Sequence, residues 1–321
     1  MKKVFVTGGA GFIGSHLVDR LIHFGEVTVY DNFSSGKKEF IQHHLNKPNF
    51  RLIEDDLLNF RRLLQEIKGA DLVFHLAANP EARSGIENTR LDLEQETLVT
   101  YNVLEAMRQN GVKRIVFASS GTVYGDLGDI PASEDYGPLL PISLYGAGKL
   151  ACEGLISGFC GTFDLQAWIF RFANVVGSRA THGVIFDFVH KLLNDSQRLE
   201  ILGDGRQSKP YLHISDCLEG VLFGLQNSGE QVNLFNLGTD GYTSVSDIAE
   251  MVVKEMGLQK VEFHYCGGKK GWPGDVPQVR YSIDKIKKLG WSPKLDSTSA
   301  ARLAVNEIVQ ELVGQEAVCR P

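Results

Sequence analysis

The stretch Thr7-Gly8-Gly9-Ala10-Gly11-Phe12-Ile13-Gly14 constrains the fold of this 321-residue chain more than any other. It follows a short apolar run, Lys3–Thr7, and opens into the amphipathic run Ser15–Phe24, so Gly8, Gly11 and Gly14, spaced G-x-x-G-x-x-G, lie between a predicted strand and a predicted helix. Glycine permits a tight turn and lets backbone N–H groups approach a pyrophosphate at the positive end of a helix. A bare glycine triplet says little. Its strand-turn-helix setting makes it a dinucleotide-binding turn, with Phe12 and Ile13 part of the cradle.

The rest of the first half repeats that alternation. Lys3–Thr7, Glu26–Asp31, Phe50–Asp55, Asp71–Ala77, Arg114–Ser119 and Ala167–Phe172 read as six strands, mostly apolar on both faces, with helical patterns between them. Such strands belong to a parallel sheet covered by helices on both sides, so the fold class is α/β, a doubly wound Rossmann sheet. After Asn174 the texture changes. Val184–Leu193 is helical, Leu199–Leu202 a short strand, Asp204–Lys209 a polar loop, His213–Leu225 a helix, Val232–Gly238 a strand and Val245–Glu255 an amphipathic helix. We therefore expect a dinucleotide-binding domain over residues 1–174 and a smaller α/β substrate domain over 175–321, with 232–257 returning to the first. The Gly/Lys-rich stretch Gly267–Gly271, followed by Pro273 and Pro277, marks a long loop of the kind that carries function.

Composition narrows the class. Hydrophobic residues at 43% and charged residues at 22% are ordinary for a folded domain, and a formal charge of -6 argues against a nucleic-acid or anionic-membrane surface. The N-terminus has only a short apolar run, so neither a signal peptide nor a membrane span is expected. Five scattered cysteines (Cys152, Cys160, Cys217, Cys266, Cys319) fit reduced thiols of the cytoplasm, and none has the spacing of a zinc site. Of the histidines, His43-His44 reads as a polar loop pair, His75 as strand-end packing and His213 as a helix start; no metal is assigned.

The second strand ends in Tyr30-Asp31-Asn32, where an acid can accept hydrogen bonds from the adenosine ribose hydroxyls. A carboxylate there repels a 2′-phosphate and no arginine follows it, which favours NAD over NADP, although Lys37 and Lys38 lie close. Asp56 and Leu57 after the third strand are placed to bracket the adenine, and Leu76-Ala77-Ala78 after the fourth to line the nicotinamide side. Tyr145-Gly146-Ala147-Gly148-Lys149 opens an amphipathic segment running to Phe159, and its spacing of four sets Tyr145 and Lys149 one turn apart on one face. An ammonium beside a phenol, with the positive ring of the cofactor, stabilises phenolate and lowers the tyrosine pKa. The fifth strand runs into Ala118-Ser119-Ser120-Gly121-Thr122, where Ser120 can hydrogen-bond a reacting oxygen beside Tyr145 and Thr122 is a second candidate; Ser119 reads as a strand-end cap. Arg83, in the loop after the fourth strand, is a candidate substrate contact.

Together the glycine turn, Asp31, His75-Leu76-Ala77-Ala78, Ser120, Tyr145/Lys149 and Arg171-Phe172-Ala173-Asn174 resemble the extended short-chain dehydrogenases, and within them the UDP-glucose 4-epimerase-like group. Gly203-Asp204-Gly205-Arg206-Gln207-Ser208-Lys209 and Leu289-Gly290-Trp291-Ser292-Pro293 extend the resemblance to nearly the whole chain. It implies a tightly held NAD, a nucleotide-sugar substrate and a homodimer built from two helices of each subunit. It also implies roles for residues: Ser120 and Tyr145 as the acid/base pair, Lys149 also on the nicotinamide ribose, and Asn174 on the diphosphate or sugar. The implied reaction is inversion at C4 of a UDP-hexose through a transient 4-keto sugar. Lys209 and Trp272 stand where the group usually has arginine; lysine keeps the charge without the planar fork, and Trp272 can stack on a base. Arg206, Arg280, Lys269 and Lys270 are further sources of charge. Glu96 occupies a place where many members have Asn, a change with no account in the sequence.

Other readings follow from the same residues. A 4,6-dehydratase or a decarboxylase resembling this chain would carry an acid just after Ser120, where this chain has Gly121-Thr122. A 4-keto reductase, an epimerase of a GDP-, CDP- or dTDP-sugar, and a non-catalytic NAD sensor complete the alternatives, the last having no use for a tyrosine–lysine pair.

Overall fold

Runs of valine, isoleucine and phenylalanine that bury both faces make the central sheet. In the computed structural model, which describes residues 2–319, these are β1 (Lys3–Thr7), β2 (Glu26–Asp31), β3 (Phe50–Glu54), β4 (Leu72–His75), β5 (Arg114–Ser120), β6 (Gln166–Phe172) and β7 (Val232–Leu237). They form one parallel seven-stranded sheet in the order β7-β6-β5-β4-β1-β2-β3, with Val4 paired to Val27 on one side and to Leu72 on the other. The order reverses beside β1, so the carboxyl ends of β1 and β4 flank the crevice where doubly wound sheets take ligands.

Helices α1 (Phe12–Leu21), α2 (Phe60–Glu66), α3 (Val99–Gln109) and α4 (Leu144–Phe163) accompany this sheet. Phe5, Tyr30, Leu63, Val103, Phe117 and Ile156 belong to one buried cluster, each side chain stabilising the fold by about 1.5–3 kcal/mol. Helix α4 starts where the Ser143 hydroxyl accepts from the Gly146 N–H at 3.1 Å and stops at Asp164, whose φ of 57° is left-handed. Ahead of α3 the chain makes a π-helical turn, Leu93–Leu98, a distortion often met at functional sites.

The chain divides into two units. The first holds the residues up to Gly125, Gly137–Arg171 and Val221–Phe235; the second holds Asp126–Tyr136, Phe172–Gly220 and the residues from Asn236 on. The chain thus passes between the two units several times. Of the span 232–257, the strand Val232–Leu237 does join the central sheet. Helix Val245–Glu255 instead buries Ile248, Ala249 and Val252 in the second core with Phe188, Leu192 and Val305, because its apolar stripe matches the helices Val184–Asn194 and Ser297–Cys319. Within the second unit Asn174–Val176 pairs with Tyr211–His213, Arg198–Ile201 with Glu262–Tyr265, and Ser208–Lys209 with Thr243–Ser244. His213 therefore ends a strand rather than opening a helix, and the strand Glu262–Tyr265 answers to no pattern noted in the sequence. Among the described residues no helix is long and apolar enough to cross a membrane.

Candidate active site

The glycine turn is folded against its own backbone. Gly8 has φ +69°, and a Cβ there would come within 2.7 Å of the Ala77 nitrogen; a Cβ on Gly14 would come within 2.0 Å of the Gly8 carbonyl oxygen, and one on Gly11 within 3.3 Å of it. Only glycine fits the first two positions. Gly11 caps α1 and has no side chain to occupy the N–H groups of the first turn, which stay available to an anion. The helix starts at Phe12 rather than Ser15 for the same reason: nothing at Phe12, Ile13 or Gly14 opposes helical geometry once Gly11 has made the turn.

Asp31 is fixed beside this turn. Its Oδ2 accepts from the Ala10 N–H at 2.8 Å and its Oδ1 from the Phe33 N–H at 2.9 Å. Burial pushes its carboxyl above the usual range while those two bonds oppose the shift. Each oxygen keeps a lone pair, so the residue suits a pair of ribose hydroxyls. Asn32 donates to Asp56 Oδ2 at 2.8 Å, tying the ends of β2 and β3 together. The Leu57 side chain lies in the hydrophobic core, and its carbonyl accepts from Asn102 Nδ2 at 2.9 Å. The Leu76 N–H bonds Thr7 O at 3.2 Å and the Ala77 N–H bonds Thr7 Oγ1 at 3.3 Å; Ala77 and Ala78 are half-buried after β4. His75 is fully buried between Thr7 and Thr100, and burial lowers it to about 3, so it packs as a neutral ring. The turn, the acid and the β4 end form a cradle that fits NAD.

Ser120, Tyr145 and Lys149 come together at the end of β5 and the start of α4. The Ser120 hydroxyl hydrogen-bonds the Tyr145 phenol. Its lone pairs accept from the Thr122 N–H at 3.2 Å and the Thr122 hydroxyl at 3.0 Å, which leaves its proton for the phenol. The Lys149 ammonium donates to Ala118 O at 3.1 Å and lies 5.6 Å from the centre of the Tyr145 ring. Burial raises the Tyr145 phenol above its ordinary value, and Lys149 opposes it. Against the expectation of a lowered tyrosine pKa, burial in the protein alone outweighs the Lys149 charge and leaves the phenol raised. Burial pulls Lys149 the other way, yet the facing Tyr145 and Glu96 hold its ammonium above the usual lysine range.

Two acids lie near this pair: Glu153, which the reading of motifs missed, and Glu96, which it marked without an account. Glu153, one turn beyond Lys149, receives both arms of Arg171 at 2.9 and 2.6 Å and the Ser119 hydroxyl at 2.5 Å. Ser119 is thereby tied to a buried ion pair rather than to a strand cap. An acid four residues after Lys149, on the same face of an otherwise apolar helix, was the available signal. Glu96 is fully buried with its Oε1 3.7 Å from Lys149 Nζ, and burial, opposed by Lys149 and reinforced by Asp92, pushes it up to about 8.

Arg83 is held in a two-armed pair with its neighbour Glu81 at 2.9 and 2.8 Å. In the second unit Asn174 is exposed, and Trp272 is half-buried. Lys209 donates to Asp275 Oδ1 at 2.6 Å, so its charge is already paired; Asp275 Oδ2 in turn accepts from the Gly271 N–H and fixes the long glycine-rich loop. Arg280 pairs with Asp129 at 2.8 Å and Lys270 with Asp126 at 3.8 Å, while Arg206 and Lys269 are exposed. His43 and His44 both meet Asp19 Oδ1, at 2.8 and 2.6 Å, with the Lys47 amine 3.0 Å from His44 Nδ1.

Comparison with known proteins places this architecture. Over 312 residues the chain is 33% identical to a putative UDP-glucose 4-epimerase of Methanocaldococcus jannaschii, covering 94% of this chain and 97% of that one. It is also 33% identical over 324 residues to UDP-glucuronic acid decarboxylase 4 of Arabidopsis thaliana, covering 98% of this chain and 70% of that one. A crystal structure of a UDP-galactose 4-epimerase superposes with a TM-score of 0.86 at 38% identity, over 97% of this chain and 99% of the other. The family model for NAD dependent epimerases and dehydratases matches residues 4–238, well over half the chain. This chain belongs to the NAD dependent epimerase/dehydratase family, and NAD is its cofactor.

Proposed function

We propose that the enzyme inverts C4 of a UDP-hexose of the UDP-glucose/UDP-galactose type. Tyr145, supported by the Ser120 hydroxyl and the Lys149 charge, takes the proton of the 4-hydroxyl as the carbon is oxidised, and returns it once the 4-keto sugar has turned its other face. NAD, held by Gly8, Gly11, Phe12, Ile13, Gly14, Asp31, Asn32, Asp56, Leu57, Leu76, Ala77, Ala78 and Lys149, supplies the group that accepts a hydride and gives it back. Arg83, Asn174, Lys209 and Trp272 are proposed for the nucleotide sugar, Lys209 dividing its charge between Asp275 and the diphosphate. We place the enzyme in the cytoplasm, where its free Cys152, Cys160, Cys217 and Cys266 stay reduced; the Cys319 side chain lies outside the described residues.

The observation that carries this reading is the hydrogen-bonded set Thr122–Ser120–Tyr145 with Lys149 behind it. Where a dehydratase needs a carboxylate to draw a proton from the 4-keto sugar, this chain offers the Thr122 hydroxyl, engaged with Ser120; a decarboxylase needs no such base, and the sugar assays below separate it from the epimerase. Purified enzyme given UDP-galactose and no added cofactor is expected to form UDP-glucose. Tyr145→Phe is expected to lower turnover at least about a hundredfold with bound NAD retained. Wild-type enzyme that holds NAD but leaves both sugars untouched, or that releases carbon dioxide from UDP-glucuronate instead, would overturn the assignment.

A further inference from the structure

Behind the tyrosine–lysine pair lies a second acid that the proposed reaction does not use. The Glu96 carboxyl is fully enclosed, and neither of its oxygens has a hydrogen-bond partner among the described residues. Its Oε1 lies 3.7 Å from Lys149 Nζ, an ion-pair distance too long for a good hydrogen bond. The fold makes room for it: a Cβ on Gly148, in the middle of the Tyr145–Lys149 turn, would come within 2.3 Å of Glu96 Oε2. The π-helical turn Leu93–Leu98 carries Glu96 into this position.

Two acids therefore face one ammonium, Tyr145 from its own helix and Glu96 from the turn packed against it. We propose that Glu96 is a positioning residue of the proton-transfer step, a buried acid that competes with Tyr145 for the charge of Lys149 and so sets the pH at which the phenol releases its proton. The inference rests on Tyr145 being the base. Among the described residues three other ionisable groups act around the pair: Asp92, buried on the approach to the π turn with Oδ1 accepting from Asn79 at 2.8 Å; Cys152, one turn past Lys149 and bonded to Thr100; and His75, which burial keeps neutral.

The ordering of the two acids gives the sign. Glu96 titrates near 8 while Tyr145 stays above its ordinary value, so Glu96 ionises first, and its negative charge then makes the phenol harder to ionise. Removing that charge with little change of shape frees Lys149 for Tyr145. The test is a phenolate titration by ultraviolet difference spectroscopy on NAD+-loaded enzyme, with Tyr145→Phe identifying the signal. Glu96→Gln is expected to ionise Tyr145 about one pH unit lower than wild type, a shift of the size that one charge exerts at this range. The acid limb of kcat is expected to move with it, while KM changes less than about twofold. Glu96→Asn is the second variant and is expected to shift the same way. A side chain that merely filled space would alter stability and leave both profiles where they are. Phenolate titrations of both amide variants that coincide with wild type, or move upward, would refute the inference. Because the titration needs no sugar, its outcome stands apart from whether wild-type enzyme turns over a UDP-hexose, which tests the proposed function.

Discussion

A carboxyl that cannot hydrogen-bond is a strained tenant of a protein interior, and Glu96 makes that strain measurable. An unfolded glutamate loses its proton near its ordinary value of 4.5, whereas folded Glu96 keeps it to about 8. Between those values the unfolded chain binds fewer protons than the folded one, so raising the pH favours unfolding, and the loss is complete only above the folded value. Glu96→Gln removes this term. The melting temperature of the variant relative to wild type is expected to rise steadily from pH 5 to pH 8 and then level off; a constant difference across that range would show the carboxyl to be ionised throughout. The sequence marked Glu96 as a departure but gave no account of it. Helical spacing sets Glu96 three, four and seven residues before the buried Val99, Thr100 and Val103, on the covered face, but the π turn and the lysine that this face meets have no residue signature of their own. Tyr145, Lys149 and Ser120 were legible because their relation is local: one helical turn, and one strand end.

At the scale of elements, the turn before α1 shows which glycines hold a site and which only occupy a helix. Gly14→Ala would drive a methyl group to 2.0 Å from the Gly8 carbonyl oxygen, a backbone atom that can move only by opening the turn. The expected cost is on the order of 1–3 kcal/mol, the range of forced overpacking, and it should appear as a roughly tenfold or greater loss of NAD affinity with the sheet intact. Gly158 in α4 is the contrast, because a Cβ there meets nothing within 4 Å and Gly158→Ala should raise stability by about 0.5–1 kcal/mol without touching NAD. Calorimetric titration with NAD alongside thermal melts separates the two, and equal NAD binding in Gly14→Ala and wild type would undo the argument. The same contrast explains what could be read in advance. Strands β1 and β2 match their expected bounds because both of their faces are apolar, whereas the strand Glu262–Tyr265 is exposed and polar apart from Phe263 and gives no periodic signal. Likewise the return of Val232–Leu237 to the sheet was visible in its apolar run, but Val245–Glu255 carries a stripe that either core could have accepted.

For the whole molecule the remaining question is what covers the outer faces of the π turn, α3 and α4. Leu93, Leu98 and Tyr101 are 50%, 41% and 46% exposed, and Phe163 at the end of α4 is 38% exposed with the Arg108 guanidinium 5.3 Å from its ring centre. The Tyr101 ring lies edge-on to Phe159, 6.3 Å between centres, so the apolar residues of the two helices meet in one stripe. Single exposed apolar side chains are ordinary, but a stripe over two adjacent helices marks a contact surface. Two such helices from each of two subunits give a four-helix interface with two-fold symmetry, in which each residue meets its counterpart's neighbour. We therefore predict a homodimer in solution, with light scattering giving twice the mass of one chain. Tyr101→Glu would place two like charges in that contact and is expected to yield a monomer that keeps its bound NAD, since Tyr101 stands outside the glycine cradle. A wild-type enzyme that scatters as a single chain at micromolar concentration would rule the interface out. A Tyr101→Glu variant that stays dimeric would move it to another surface.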